Sequence, residues 1–160
     1  MHKTILVPTD FCVASLNTLR LALEKNQQGL SLKVVLMYAE LLEDSIAELL
    51  FYSPEKRINA LKSIEFDEAL SILKNRFENR IVEVSLELFH GYNHQAFKHF
   101  TDANRIDEIY IPKTYQFNLL SRGFNPIPII KKSKLPIYEL EWQYQGVCLE
   151  NNQLHLIFNN

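Results

Sequence analysis

Two stretches of the chain carry unbroken apolar runs, Ile5 to Val7 within Thr4-Ile-Leu-Val-Pro-Thr-Asp10 and Val34 to Ala39 within Leu32-Lys-Val-Val-Leu-Met-Tyr-Ala39. Strands buried on both faces read this way, which predicts interior positions in a parallel sheet covered by helices. Between them, Phe11 to about Lys25 places Cys12, Leu16, Leu19 and Leu23 at helical spacing, with Asp10 positioned to cap the first turn and Gly29 past the end. The first fifty residues therefore spell a β-α-β unit with a right-handed crossover.

Further along, Ile46, Leu49 and Leu50 predict a short helix over 44–52, and Ser53-Pro54-Glu55 predicts the start of a longer one running to about Asn79. Its stripe is Ile58, Leu61, Ala69, Leu73 and Phe77. From Ile81 to Phe89 the pattern changes to alternation, with Val82, Val84, Leu86 and Leu88 set against Glu83, Ser85 and Glu87. That marks a strand with one wet face, at or near a sheet edge. A helix over 93–104 carries Ala96, Phe97, Phe100 and Ala103 inward; a short strand spans 106–112; a helix over 127–134 accommodates Pro126 and Pro128 only in its first turn. Residues 135–140 read as a fifth strand, and 146–158 as a β-hairpin around Glu150-Asn-Asn-Gln153. The expected division is an α/β domain over 1–140 and an extension over 141–160.

A formal net charge of -2 and 22% charged residues leave no basic excess for a nucleic acid backbone and no polybasic run for an anionic membrane. The two cysteines, Cys12 and Cys148, are too few and too distant in sequence for a disulfide framework, which fits a reducing, cytoplasmic setting, and there is neither a signal-peptide pattern nor a long apolar span.

In open parallel sheets ligands bind beyond the carboxyl ends of the strands. Asp10, the 37–39 strand end and the loop from 112 to 123 all belong to that end. The opening Lys3-Thr-Ile-Leu-Val-Pro-Thr-Asp-Phe11, Ser15 and Ala22 in the first helix, Gly91 after the third strand, and Leu135-Pro136-Ile137 opening the last together resemble the universal stress protein (UspA-like) family over about residues 1–140. The resemblance implies a five-stranded parallel sheet in the order 3-2-1-4-5 with helices on both faces, ATP bound at the ends of strands one and four in many members, and homodimers paired through strand five. ATP-binding members carry a G-x-x-G-x9-G-[ST] loop after strand four. Here Pro112 and Tyr115 replace its first two glycines, Gly123 matches the third, and Phe124 replaces the hydroxyl residue. A phosphate cradle needs glycine for close backbone approach, and proline removes a donor.

The expected function is thus a non-catalytic, dimeric module without a cofactor, acting in stress response or regulation through a protein partner, with ATP binding lost. The alternative is a nucleotide or small-anion sensor using Thr9, Asp10, Met37, Tyr38, Ala39, Pro112, Lys113 and Gly123, with Lys131, Lys132 and Arg122 available to attract an anion. Cys12 reads as a small buried filler rather than a reactive thiol. His90, His94 and His99 do not have the spacing of a metal site. Lys131-Lys-Ser-Lys134 reads as a cationic helix end. Trp142 and the apolar positions of the extension must pack on something, either the fifth strand's edge or a dimer partner, and the resemblance favours the dimer.

Overall fold

A computed structural model describes residues 2–26, 29–42, 50–120 and 122–142. The five strands are β1 (His2–Pro8), β2 (Ser31–Ala39), β3 (Ile81–Phe89), β4 (Glu108–Pro112) and β5 (Ile137–Leu140). They form one sheet in the order β3-β2-β1-β4-β5, every neighbouring pair parallel. The expected topology and the edge position of the alternating third strand are both observed.

Burial explains the two continuous runs. In β1, Ile5 and Val7 enter one core while Leu6 enters the other. In β2, Leu32, Val34, Leu36 and Tyr38 face the first core and Val35, Met37 and Ala39 the second. The first face is covered by α1 (Leu16–Lys25), α2 (Pro54–Leu61) and α3 (Ile64–Arg76), the second by α4 (His94–Ala103) and the single turn α5 (Ile127–Ile130). The edge strand β3 sends Val84, Leu86 and Leu88 to the first core, while Glu83 stays exposed and reaches Lys33 at 3.5 Å.

The helix expected over 53–79 is two helices. Lys62 is extended at ψ 150, and Ser63 starts again, its Oγ accepting the Phe66 N–H at 3.1 Å. Ser63, followed by Glu65 and Asp67, is a strong cap with an acidic first turn, and it overrides continuous helical spacing. The break lets Ile58 and Leu61 pack from one segment and Phe66, Ala69 and Leu73 from the next. α5 is also shorter than expected, ending at Ile130. The short helix expected over 44–52 falls mainly, and the hairpin over 146–158 wholly, outside the described residues.

Candidate functional site

β1 ends at Pro8, and the Thr9 N–H donates to the Met37 carbonyl at 2.9 Å, so the chain leaves the sheet level with the end of β2. The following turn is built by side chains. Thr9 Oγ1 accepts the Phe11 N–H and lies 3.0 Å from Ser15 Oγ, which donates to the Cys12 carbonyl at 2.8 Å. Phe11 takes the left-handed backbone conformation, φ 62, uncommon for a bulky residue. Its ring compensates by stacking on Tyr38 at 5.2 Å and meeting Phe66 edge-on at 5.4 Å.

Asp10 lies at the base of the crevice and is 5% exposed. The expected cap is not formed. Oδ1 instead accepts the Cys12 N–H two residues on, at 2.9 Å, and α1 begins only at Leu16, after a 3-10 turn over Val13–Ser15. A short Asx turn competes with the helix for the same carboxylate, and here the turn wins. The other oxygen, Oδ2, is filled from the loop after β4: Tyr115 donates its hydroxyl at 2.5 Å and Asn118 its backbone N–H at 2.8 Å. Burial pushes the Asp10 carboxyl above the ordinary aspartate value, while these three hydrogen bonds and Ser15 oppose the shift. Tyr115 is itself covered by Trp142, ring centroids 4.7 Å apart, and the Trp142 indole N–H donates to Thr18 Oγ1 at 2.9 Å.

The loop continues across the strand ends. The Tyr38 hydroxyl accepts the Leu120 N–H at 3.4 Å, the Leu41 N–H donates to the Arg122 carbonyl, and the Phe124 N–H donates to the Ala39 carbonyl. Glu40 and Gly123 form an antiparallel bridge. Glycine is required at 123 because a Cβ there would lie 2.4 Å from the Tyr38 hydroxyl.

The candidate residues therefore divide. Thr9, Asp10, Tyr38 and Gly123 meet at the crevice. Met37 and Ala39 turn their side chains into the opposite core, and their carbonyls are already engaged. Pro112 is the last residue of β4, opposite Leu140, and the Lys113 N–H donates to the Leu140 carbonyl, with its ammonium 3.9 Å from Glu141. Lys131 pairs with Glu139 at 3.2 Å.

A second cluster, not anticipated from sequence, adjoins this one. Glu40, 2% exposed, receives Arg57 from α2 through Nε at 3.1 Å and an NH group at 2.7 Å, and His90 Nε2 lies 3.3 Å from its Oε2. Tyr52 lies 3.2 Å from the same His90 nitrogen. Because a carboxylate only accepts, the His90 nitrogen is the donor in its contact with Glu40. Burial alone would raise the Glu40 carboxyl, but the Arg57 and His90 hydrogen bonds outweigh it and hold the group below the usual glutamate range. The available sequence signal was a charged residue closing an apolar run at Ala39-Glu40.

His90 is occupied in this way, and among the described residues no group of three or more His, Cys, Asp or Glu could hold a metal ion. The cysteine reading needs correction: Cys12 is disulfide-bonded, so it is neither a free filler nor a reactive thiol. Cys148 lies outside the described residues. None of the described helices is long and apolar enough to cross a membrane.

No protein-family model matches the chain, and no curated protein sequence does. Solved structures do. UspA from Lactobacillus plantarum aligns at a TM-score of 0.55 and 12% identity, over 86% of this chain and 97% of its own. A universal stress protein family protein from Arabidopsis thaliana, solved with AMP bound, aligns at 0.51 and 12%, over 88% and 92%. One from Burkholderia pseudomallei aligns at 0.50 and 14%, over 86% and 95%. With the same strand order, helices on both faces and a crevice beyond β1 and β4, the chain has the α/β fold of the universal stress proteins.

Proposed function

We propose that this protein is a non-catalytic module of universal-stress-protein type, dimeric, that acts in stress response or regulation through a protein partner and no longer binds ATP. The observation that carries the reading is the occupation of Asp10. Both of its oxygens are engaged by donors from the chain itself, with Tyr115 and Asn118 lying where a ligand at the strand ends would have to enter. Pro112 supplies no N–H to a phosphate, and the Lys113 N–H is used by β5. One neighbour of the same fold is described with AMP bound; in this chain the carboxyl end of the sheet is met by residues 115–120 and 122–124. The dimer is proposed through β5, which among the described residues pairs only with β4 and so offers an edge to a second strand.

The test is a thermal-shift titration with ATP, ADP and AMP, with and without magnesium, run beside light scattering. A ligand at about a hundred times its dissociation constant stabilises a fold by about 2.7 kcal/mol, worth about 5–11 °C in a chain of this size. No shift with a dimeric mass is expected. A clear shift would favour the second reading, a nucleotide or small-anion sensor, for which the supporting observation is that a carboxylate is kept in the crevice at all despite the cost of burying it.

A further inference from the structure

Between α4 and the segment that joins α5 to β5 lies a cavity of about 190 Å3, on the face of the sheet that carries the second core. It is separate from the strand-end crevice: none of its described lining residues belongs to the Asp10 turn or to residues 112–124. Protein interiors leave few voids larger than a water molecule, so a gap of this size between two packed elements is room for a ligand. At an interior packing density of about 0.75 it holds about 140 Å3 of van der Waals volume, the size class of hexanoate or benzoate.

The lining sets the chemistry. Phe97 and Leu135 belong to the second core and give the cavity an apolar wall. Thr101 is buried and also lines it, but its hydroxyl already donates to the Lys98 carbonyl at 3.0 Å. Of the charged lining residues, Lys98 and Asp102 neutralise each other at 2.8 Å. Lys134 is different. Its side chain is exposed and, among the described residues, makes no ion pair or hydrogen bond. His94 is in the same condition and offers a ring N–H in either charge state. Ser133 Oγ accepts the Leu135 N–H at 3.2 Å, and its own proton has no acceptor among the described residues. Small-molecule sites combine an apolar interior with a few placed polar groups, and here every uncommitted polar side chain is a donor.

We propose that this cavity binds a small carboxylic acid as its anion, the apolar body against Phe97 and Leu135 and the carboxylate toward Lys134 and Ser133, with His94 as a further donor. A wholly hydrophilic anion would leave the apolar wall wet, and an amine would meet the Lys134 ammonium. The site does not depend on whether the crevice beside Asp10 takes a nucleotide.

The test is a proton–nitrogen correlation NMR titration of the full chain with hexanoate and with benzoate, hexanol and hexylamine serving as neutral and cationic controls. At least one acid should shift the amide signals of Phe97, Thr101 and Leu135, with a dissociation constant of about 1 mM or below. Hexanol and hexylamine should both bind at least about three-fold more weakly than that acid. Lys134→Gln should weaken binding of the acid about three- to five-fold, the upper range for one exposed charged contact, and leave hexanol unchanged. Leu135→Phe should weaken it at least about five-fold by filling the space. Absence of shifts with both acids at about 10 mM overturns the proposal, as do shifts confined to the Asp10 crevice, equal affinity for hexanol and hexanoate, or an unchanged affinity in Lys134→Gln. If Leu135→Phe fails to fold, the comparison of the four probes on the unmodified protein decides.

Discussion

Replacing Tyr115 by phenylalanine removes one oxygen and keeps the ring that packs on Trp142. The loss is the hydroxyl that donates to Asp10 Oδ2, while the Asn118 N–H to the same oxygen is kept. A hydrogen bond to a charged group contributes about 1.5–3 kcal/mol, and the site is buried, so little of this is screened. For a chain of 160 residues that corresponds to a fall in Tm of about 3–12 °C. The pH dependence identifies the cause. Burial raises the Asp10 pKa above the ordinary aspartate value of 3.8, so the native state holds the proton more tightly than the unfolded state. Stability from this group is greatest below 3.8 and is lost as pH rises through the folded value. The Tyr115 bond opposes the shift, so its removal raises the folded pKa further and enlarges the loss. The Tm difference between the two proteins should therefore be small near pH 4 and full at pH 7.5, measured by calorimetry at matched ionic strength. An equal difference at both pH values, or none at 7.5, would refute a charge-assisted bond to Asp10.

Arg57→Ala should destabilise by about 3 kcal/mol, the low end for breaking a buried pair because Arg57 is a quarter exposed, read by urea denaturation. Glu40 is held below its ordinary value, so its contribution is present above about pH 4.5 and lost as pH falls through the folded pKa; the Arg57→Ala protein should show a shallower stability loss between pH 5 and pH 3. Gly123→Ala should cost about 1–3 kcal/mol through overpacking on the Tyr38 hydroxyl, and combining it with Tyr38→Phe should recover part of that loss; strict additivity of the two would be the wrong result. Ser63→Ala should cost about 1 kcal/mol in thermal unfolding by uncapping α3, and a loss below 0.3 kcal/mol would show that the cap does not set the helix break.

The strands were legible because burial on two faces, or on one, leaves different patterns, as β2 and β3 show. Helix boundaries were less so. Ser63 was hidden inside a run of helix formers, and the competition between cap and Asx turn at Asp10 depends on backbone angles at Phe11 that no spacing reveals. At the crevice, Tyr115 was recognisable as a missing glycine, yet its bond to Asp10 joins residues far apart in the chain. The Glu40, Arg57, His90 and Tyr52 cluster draws on three separate segments. Only the topology brings them together, and no local pattern marks them.

The antiparallel bridge between Glu40 and Gly123 also bears on the order of folding. It joins the end of β2 to a loop beyond β4, so it can close only after β1, β2 and β4 have found their places in the sheet. Contacts of such long sequence separation carry a loop-closure entropy that is repaid late. The crevice is thus expected to be among the last parts of the molecule to form. Substitutions at Tyr115, Asn118 or Gly123 should accordingly speed unfolding and leave the refolding rate nearly unchanged.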